Sequence, residues 1–293
     1  MLHNFISSKI RSELPFEPTD QQVLLLDALG EFLMSTDIEK VFLLRGYAGT
    51  GKTSVVSALV RAMNSLQQKT MLLAPTGRAA KVISGYSGFP AYTIHKRIYR
   101  QKSMAEFRFQ LADNLFNHTL FIVDEASMIS NTGGDTEFGS GRLLDDLIEF
   151  VYSGDGCSLL LLGDTAQLPP VMQPHSPALE KDKLAGYGLR VHEFTLTHVV
   201  RQALESGILH NATRLRQMLI DDKTTGFPHF DINGFKDIRH LNGMDLIDEI
   251  QRAYNGVGVE DTIVVTRSNK RANMYNNGIR NRVLMKEDEL TNG

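Results

Sequence analysis

Cysteine is nearly absent from the 293 residues. The one thiol, Cys157, excludes an intramolecular disulfide framework and any zinc site built on cysteines. It precedes the apolar run SLLLLG and is expected to be half-buried. No apolar run approaches the roughly 18–20 residues that a membrane span requires. The opening stretch MLHNFISSKIRSELPF has neither the long apolar segment nor the small-residue cleavage site of a secretory leader. A cytoplasmic location, with no membrane partner, is the expectation. A charge excess of either sign is missing too. With 31 basic and 34 acidic residues the formal net charge is −3, so bulk charge points to no polyanionic partner and any such site must be local. No repeat of fixed period is visible. What remains is 42% hydrophobic and 22% charged, an ordinary globular composition. The chain is long enough for one large or two medium domains.

Short, β-branched-rich apolar runs recur, each followed by a turn signal and usually by a helical pattern. They are VFLLRG (41–46), TMLLAPTG (70–77), TLFIVDEAS (119–127), SLLLLGD (158–164) and HEFTLT (192–197), with DTIVVTRS (261–268) after a long gap. Runs apolar on both faces suit strands buried between helix layers, as in a parallel sheet. Between them, stretches such as 54–67 place Val55, Val56, Leu59, Val60 and Met63 near helical spacing. The alternation predicts a doubly wound α/β domain, whose ligands bind where the strands end. The first four runs all end in unusual groups: Gly46, Pro75–Thr76, Asp124–Glu125 and Gly163–Asp164. The glycine-rich stretch 131–141 reads as a surface connection and 221–240 as irregular. DTIVVT is expected to open a second domain, of which the remaining residues supply only a beginning.

GYAGTGKT (46–53) fits G-x-x-x-x-G-K-[ST] between a strand and a helix. Its glycines let backbone N–H groups curl around phosphate oxygens, and the helix adds its positive end. Lys52 is then expected to reach the β- and γ-phosphates of a nucleoside triphosphate, and Thr53 to hold Mg²⁺. In FIVDEAS two carboxylates close an apolar strand. Such a buried pair is costly unless a cation sits beside it. Mg²⁺ held through Asp124, with Glu125 orienting and deprotonating a water, resolves that cost. In GDTAQLPPV the prolines hold the Gln167 amide at a defined place, where it can report the γ-phosphate.

Taken in order, GYAGTGKT, APTGRAAKVI, TIHK, FIVDEASMI, GDTAQLPPV and LTHVVRQ resemble superfamily-1 DNA helicases of the RecD-like, Dda-like 5′→3′ branch. The resemblance runs from about Phe16 to Arg282. It implies a RecA-like P-loop NTPase with a mostly parallel sheet flanked by helices, over residues 1–220, and the start of a second α/β motor domain over 221–293. It implies ATP and Mg²⁺ as cofactors, single-stranded and duplex DNA as partners, and nuclease or recombination subunits as further candidates. Within FEPTDQQ, Gln22 would contact adenine, with Gln21 as the alternative. Gly46, Ala48, Gly49, Thr50, Gly51, Lys52, Thr53 and Ser54 would bind nucleotide, and Thr53 and Asp124 the metal. Lys52, Glu125, Gln167 and Arg201 would carry the chemistry, Arg201 by stabilising charge on the γ-phosphoryl. Thr76, Gly77, Arg78 and His95 would contact single-stranded DNA. Residues 97–118 would form an inserted hairpin, either a duplex-opening wedge or a charged edge hairpin, and the basic stretch 266–282 would continue the DNA track.

The later motifs of that family, including a second arginine, are missing. The expectation is therefore the N-terminal part of a longer helicase, binding nucleotide but hydrolysing it slowly alone. Two other readings stay open: an ATP-binding DNA-binding subunit of a recombination nuclease, and a P-loop kinase.

Overall fold

In the computed structural model the first five apolar runs become strands of one parallel sheet. The structure describes residues 2–101, 108–133, 138–171, 173–198, 206–221 and 227–286. In chain order the elements are α1 (Leu2–Ser12), α2 (Asp20–Met34), β1 (Lys40–Gly46), α3 (Lys52–Ser65), β2 (Lys69–Ala74), α4 (Gly77–Ser87), β3 (Ala91–Thr93), α5 (Ile94–Ile98), β4 (Tyr99–Gln101) and β5 (Phe109–Leu111). There follow β6 (Thr119–Val123), α6 (Leu143–Tyr152), β7 (Ser158–Gly163), α7 (Lys181–Ala185), β8 (Arg190–Leu196), α8 (Gly207–Asp221), α9 (Leu246–Gly256) and α10 (Asn269–Arg282).

The main sheet has the order β3-β2-β6-β7-β1-β8, and all its pairs are parallel. Alternate side chains enter two cores, because successive residues of a strand point to opposite faces. Val41, Leu43, Phe121, Leu159 and Leu161 join Ile98, Leu144, Leu147 and Leu184 from α5, α6 and α7. Phe42, Leu44, Ile122, Leu160 and Leu162 join Leu25, Leu29, Phe32, Val56, Leu59 and Ile83 from α2, α3 and α4. Double-sided burial is why these runs are apolar throughout rather than alternating. Cys157 is buried rather than half-buried, and its thiol meets the Phe116 carbonyl at 3.4 Å.

The ends of the elements follow local chemistry. Strand β2 stops at Ala74 because Pro75 has no N–H to extend the ladder. Thr76 then caps α4, its hydroxyl accepting from Ala79 N at 3.2 Å. Thr19 and Gln22 form a reciprocal capping box on α2. The edge strand β3 is too short to have been read as a run. Within 97–118, β4 and β5 pair antiparallel, Tyr99 opposite Leu111 and Gln101 opposite Phe109.

Backbone contacts divide the chain into two units, Met1–Glu205 with Leu209–Pro228, and Ser206–Ile208 with His229–Gly293. In the second unit Asp237 accepts from Gly207 N at 2.8 Å, and Ile250 of α9 and Ile279 of α10 are buried. The sixth expected strand does not form. Residues 261–268 pair with no strand among the described residues, and Ile263 and Val265 are 63% and 86% exposed. An extended segment without a neighbour gains no ladder hydrogen bonds, so β-propensity alone does not make a strand.

Candidate active site

Strand β1 leaves the sheet at Gly46, and the loop turns back at once onto α3. A Cβ on Gly46 would stand 3.0 Å from Leu196 Cβ and 3.1 Å from Lys52 Cδ, so a side chain would crowd both and force them to shift. Gly49 and Gly51 have φ of 77° and 85°, left-handed conformations that glycine adopts without steric cost. Gly51 is the N-cap of α3 and supplies no capping side chain. The first-turn N–H groups therefore remain available to an anion. Lys52 Nζ donates to the Gly46 carbonyl and, at 3.0 Å, to that of Tyr47.

Parallel neighbours carry their carboxylates to the same edge. Asp124 and Glu125 follow β6, and Asp164 follows β7. Glu125 has φ of 55°, strain of the kind that concentrates at functional sites. Its N–H donates to Asp124 Oδ1 at 2.9 Å. Ser127 Oγ donates to Gln167 Oε1 at 3.1 Å, and the Gln167 side chain offsets part of the rise in the Glu125 pKa. Asp164 accepts from Ala48 N at 3.1 Å and Ala166 N at 2.8 Å, which fastens the glycine loop to the end of β7.

These groups enclose a cavity of about 320 Å³. Ala48, Gly49, Gly51, Lys52, Thr53 and Ser54 line it from the loop side, and Asp124, Glu125 and Gln167 from the strand ends. Burial holds the Asp124 carboxyl above its ordinary value, against the opposing pull of the Glu125 N–H and the Lys52 charge. Glu125 is raised by burial and then by Asp124. Lys52 is lowered by burial, although Asp164, Asp124 and Glu125 favour its charged form. Two crowded carboxylates and a desolvated ammonium would all be relieved by a metal-bound polyanion. The donor set fits Mg²⁺, a hard cation usually held by one or two carboxylates and substrate phosphates rather than by an all-protein cage. Among the described residues no group of three or more His, Cys, Asp or Glu is placed to hold a metal alone.

Not every expected residue faces this cavity. Gly46, Thr50 and Gln22 shape the loop from beneath. Thr50 is 1% exposed, and its hydroxyl donates to Tyr47 O at 2.8 Å. Gln22, also 1% exposed, donates to Thr50 O at 3.1 Å and accepts from Thr19 N at 3.0 Å. With both ends of its amide engaged, contact with a base would require exchanging one of these bonds. Gln21 accepts from Thr197 N and His198 N, both at 2.9 Å, tying α2 to the end of β8. Arg201 lies outside the described residues.

Thr76 and His95 line a second cavity, of about 480 Å³, with Met128 and Phe138. Gly77 and Arg78 open α4 beside Thr76 and are exposed. His95 packs at 5.2 Å from Phe138 and 5.7 Å from Tyr99 between ring centroids. Burial lowers its pKa, so the neutral imidazole is favoured. The 131–141 connection is not a free surface loop over its described end. Phe138 stacks on Phe109 at 4.6 Å, and Gly139 N donates to Phe109 O at 2.9 Å.

Sequence reasoning missed two residues that line this cavity, Asp164 and Tyr86, and two that touch its lining residues, Ser127 and Arg216. Asp164 was visible only as a strand-end acid, and Ser127 only as part of FIVDEAS. Tyr86 of α4 lines the cavity without any motif signal. Arg216 of α8 is 7% exposed and places its guanidinium 4.3 Å from the Tyr47 ring centroid, a cation–π contact that no sequence spacing encodes.

A family model described as an AAA domain matches residues 26–225. The chain belongs to the AAA domain family. Its AAA domain is similar to the ATP-dependent RecD2 DNA helicase of Deinococcus radiodurans, 31% identical over 195 residues, covering 66% of this chain and 23% of that protein. It is also similar to the uncharacterized protein R530 of Acanthamoeba polyphaga mimivirus, 24% identical over 310 aligned residues, 93% of this chain and 58% of that protein. The chain thus spans less than two thirds of either relative. Among solved structures, the Pif1 helicase of Candida albicans is matched over 93% of this chain and 56% of its own, at 16% identity and a TM-score of 0.48. A Bacteroides Pif1 helicase in complex with ADP-AlF3 and ssDNA is matched over 85% and 58%, at 17% identity and a TM-score of 0.41.

Proposed function

We propose that this AAA domain chain is the N-terminal motor portion of an ATP-dependent DNA helicase moving 5′→3′ on single-stranded DNA, with residues 1–220 as the first motor domain and 221–293 as the entry into the second. The observation that carries the proposal is the convergence of Lys52, Thr53, Asp124, Glu125 and Gln167 on one cavity at the strand ends. The similarity to RecD2 supports the DNA-motor reading. A cytoplasmic working place is part of the same proposal; among the described residues no helix is long and apolar enough to cross a membrane.

In this reading the loop N–H groups and Lys52 bind the phosphates of ATP. Thr53 and Asp124 would hold Mg²⁺, which when bound neutralises phosphate charge. Glu125, beside Gln167, orients the attacking water and takes its proton at the carboxylate, a task suited by a pKa raised toward neutrality. Gln167, whose Oε1 accepts from Ser127 Oγ, senses in this reading whether the terminal phosphate is present. Arg201 is assigned to the charge that develops on the γ-phosphoryl. Thr76, Gly77, Arg78 and His95 take the single strand.

The test uses two variants. Lys52→Ala should weaken ATP binding by this chain at least about tenfold in calorimetric titration, the equivalent of about 1.4 kcal/mol. Glu125→Gln in the full-length protein should lower DNA-stimulated hydrolysis by roughly 10²–10⁴-fold while leaving ATP bound. Duplex unwinding that survives both changes would refute the catalytic assignment.

A further inference from the structure

Away from the nucleotide-sized cavity, α6 carries a carboxylate that the mechanism above does not use. Asp146 is 4% exposed. Its Oδ2 accepts from Tyr99 Oη at 2.6 Å and Ser140 N at 3.0 Å, and its Oδ1 from Ser140 Oγ at 2.7 Å. The three donors come from two segments outside α6, the first hairpin strand β4 and the glycine-rich connection. Ser140 Oγ accepts in turn from Arg142 N at 3.1 Å, so the cluster has a fixed sense. The approach is so close that Gly139, at φ 51°, could carry no side chain, since a Cβ there would collide with Asp146 Oδ2 and the Tyr99 ring. Phe138 stacks on Phe109 of β5 and lies 5.7 Å from the Tyr99 ring of β4, so both strands are gripped from the three-residue stretch 138–140.

The same helix is tied to the acidic strand end. After Glu125 the chain makes one tight turn, with Ile129 N donating to Ala126 O at 3.1 Å. Leu144 N then donates to Ser130 O at 3.3 Å. Asn131 and Asp145 exchange bonds of 2.9 and 3.2 Å. Asp146 is the next residue. A short run of directional bonds therefore joins Asp124–Glu125 to the root of the hairpin. An apolar residue at 146 would bury as well, but only a buried carboxylate answered by oriented donors selects one angle between the joined parts.

We propose that Asp146 is a positioning residue that locks the paired strands 99–101 and 109–111, and His95 next to them, in one orientation relative to the nucleotide-binding acids, so that a change at Asp124–Glu125 is transmitted to that strand pair. The inference rests on the motor reading above.

The experiment uses the full-length protein with Asp146→Asn and, as a milder change, Ser140→Ala. Neither residue lines either cavity. Removing a hydrogen bond to a charged acceptor should shift the docked-to-undocked balance of the hairpin by about tenfold or more. Amide hydrogen exchange in 99–101 and 109–111 should accelerate by that factor in both variants. In the wild type it should slow when a nonhydrolysable ATP analogue is added, and in Asp146→Asn it should no longer respond. Base pairs opened per ATP on a forked duplex should fall several-fold, with kcat and KM for single-strand-stimulated hydrolysis unchanged. Exchange and unwinding equal to wild type in both variants would overturn the positioning role, as would hydrolysis falling in step with unwinding. A wild-type protein that hydrolyses ATP but opens no duplex would instead overturn the motor reading on which the proposal stands.

Discussion

Replacing Asp124 by asparagine should have opposite consequences for the free and the nucleotide-bound chain. Asp124 is 9% exposed, follows directly on the buried β6, and has Glu125 as its neighbour. Burial raises its pKa, which means the folded chain holds that proton more tightly than the unfolded one. Ionising the group therefore costs stability. The cost is absent below the ordinary aspartate value of about 3.9, grows as pH rises from there through the raised folded value, and is constant above it. Asparagine never bears it. At pH 7 the variant should be more stable than wild type by on the order of 1 kcal/mol, about 2–4 °C in Tm for a domain of this size. The advantage should vanish as pH falls below about 4. With Mg²⁺ and an ATP analogue at 100 times Kd, wild type should gain about 2.7 kcal/mol, and the magnesium-dependent part of that gain should be missing from the variant. Thermal unfolding followed by circular dichroism, at pH 4 and 7 and with and without Mg²⁺–nucleotide, measures all of these. A variant less stable than wild type at pH 7 without ligand, or one with an undiminished magnesium effect, would refute the electrostatic account of the acidic pair.

Two further outcomes are expected. Asp164→Ala removes the acceptor of Ala48 N and Ala166 N, at about 1–3 kcal/mol for each N–H left unpaired. It should show as a lowered denaturant midpoint together with at least about tenfold weaker ATP binding by titration. Leu160→Ala, at a side chain with 0% exposure between β6 and β1, should cost roughly 2–5 kcal/mol in urea unfolding while leaving nucleotide affinity per folded molecule unchanged.

The central sheet was readable because its chemistry is local. Runs such as SLLLLG are apolar on both faces, and only a strand covered on both sides needs that pattern. The glycine loop was readable for the same reason, since left-handed turns at Gly49 and Gly51 demand glycine whatever surrounds them. The run DTIVVT misled because a strand is a property of a pair, and no strand lies beside it among the described residues. Gln22 was readable as special but not in its engagements, which depend on where the carbonyl of Thr50 comes to rest. The connection 131–141 looked like any polar loop until Phe138 met Phe109 and Asp146 met Ser140.

By itself, then, the amino-acid order determined five of the six strands of the main sheet, where the phosphate loop lies and which acids close the strands, because each depends on neighbours in the chain. Tertiary structure alone decided that Asp164 holds the loop, that Arg216 covers Tyr47 and that Asp146 grips the hairpin root. Those contacts join residues tens of positions apart, and their worth comes from distance and angle in a low-dielectric interior, which residue order does not specify.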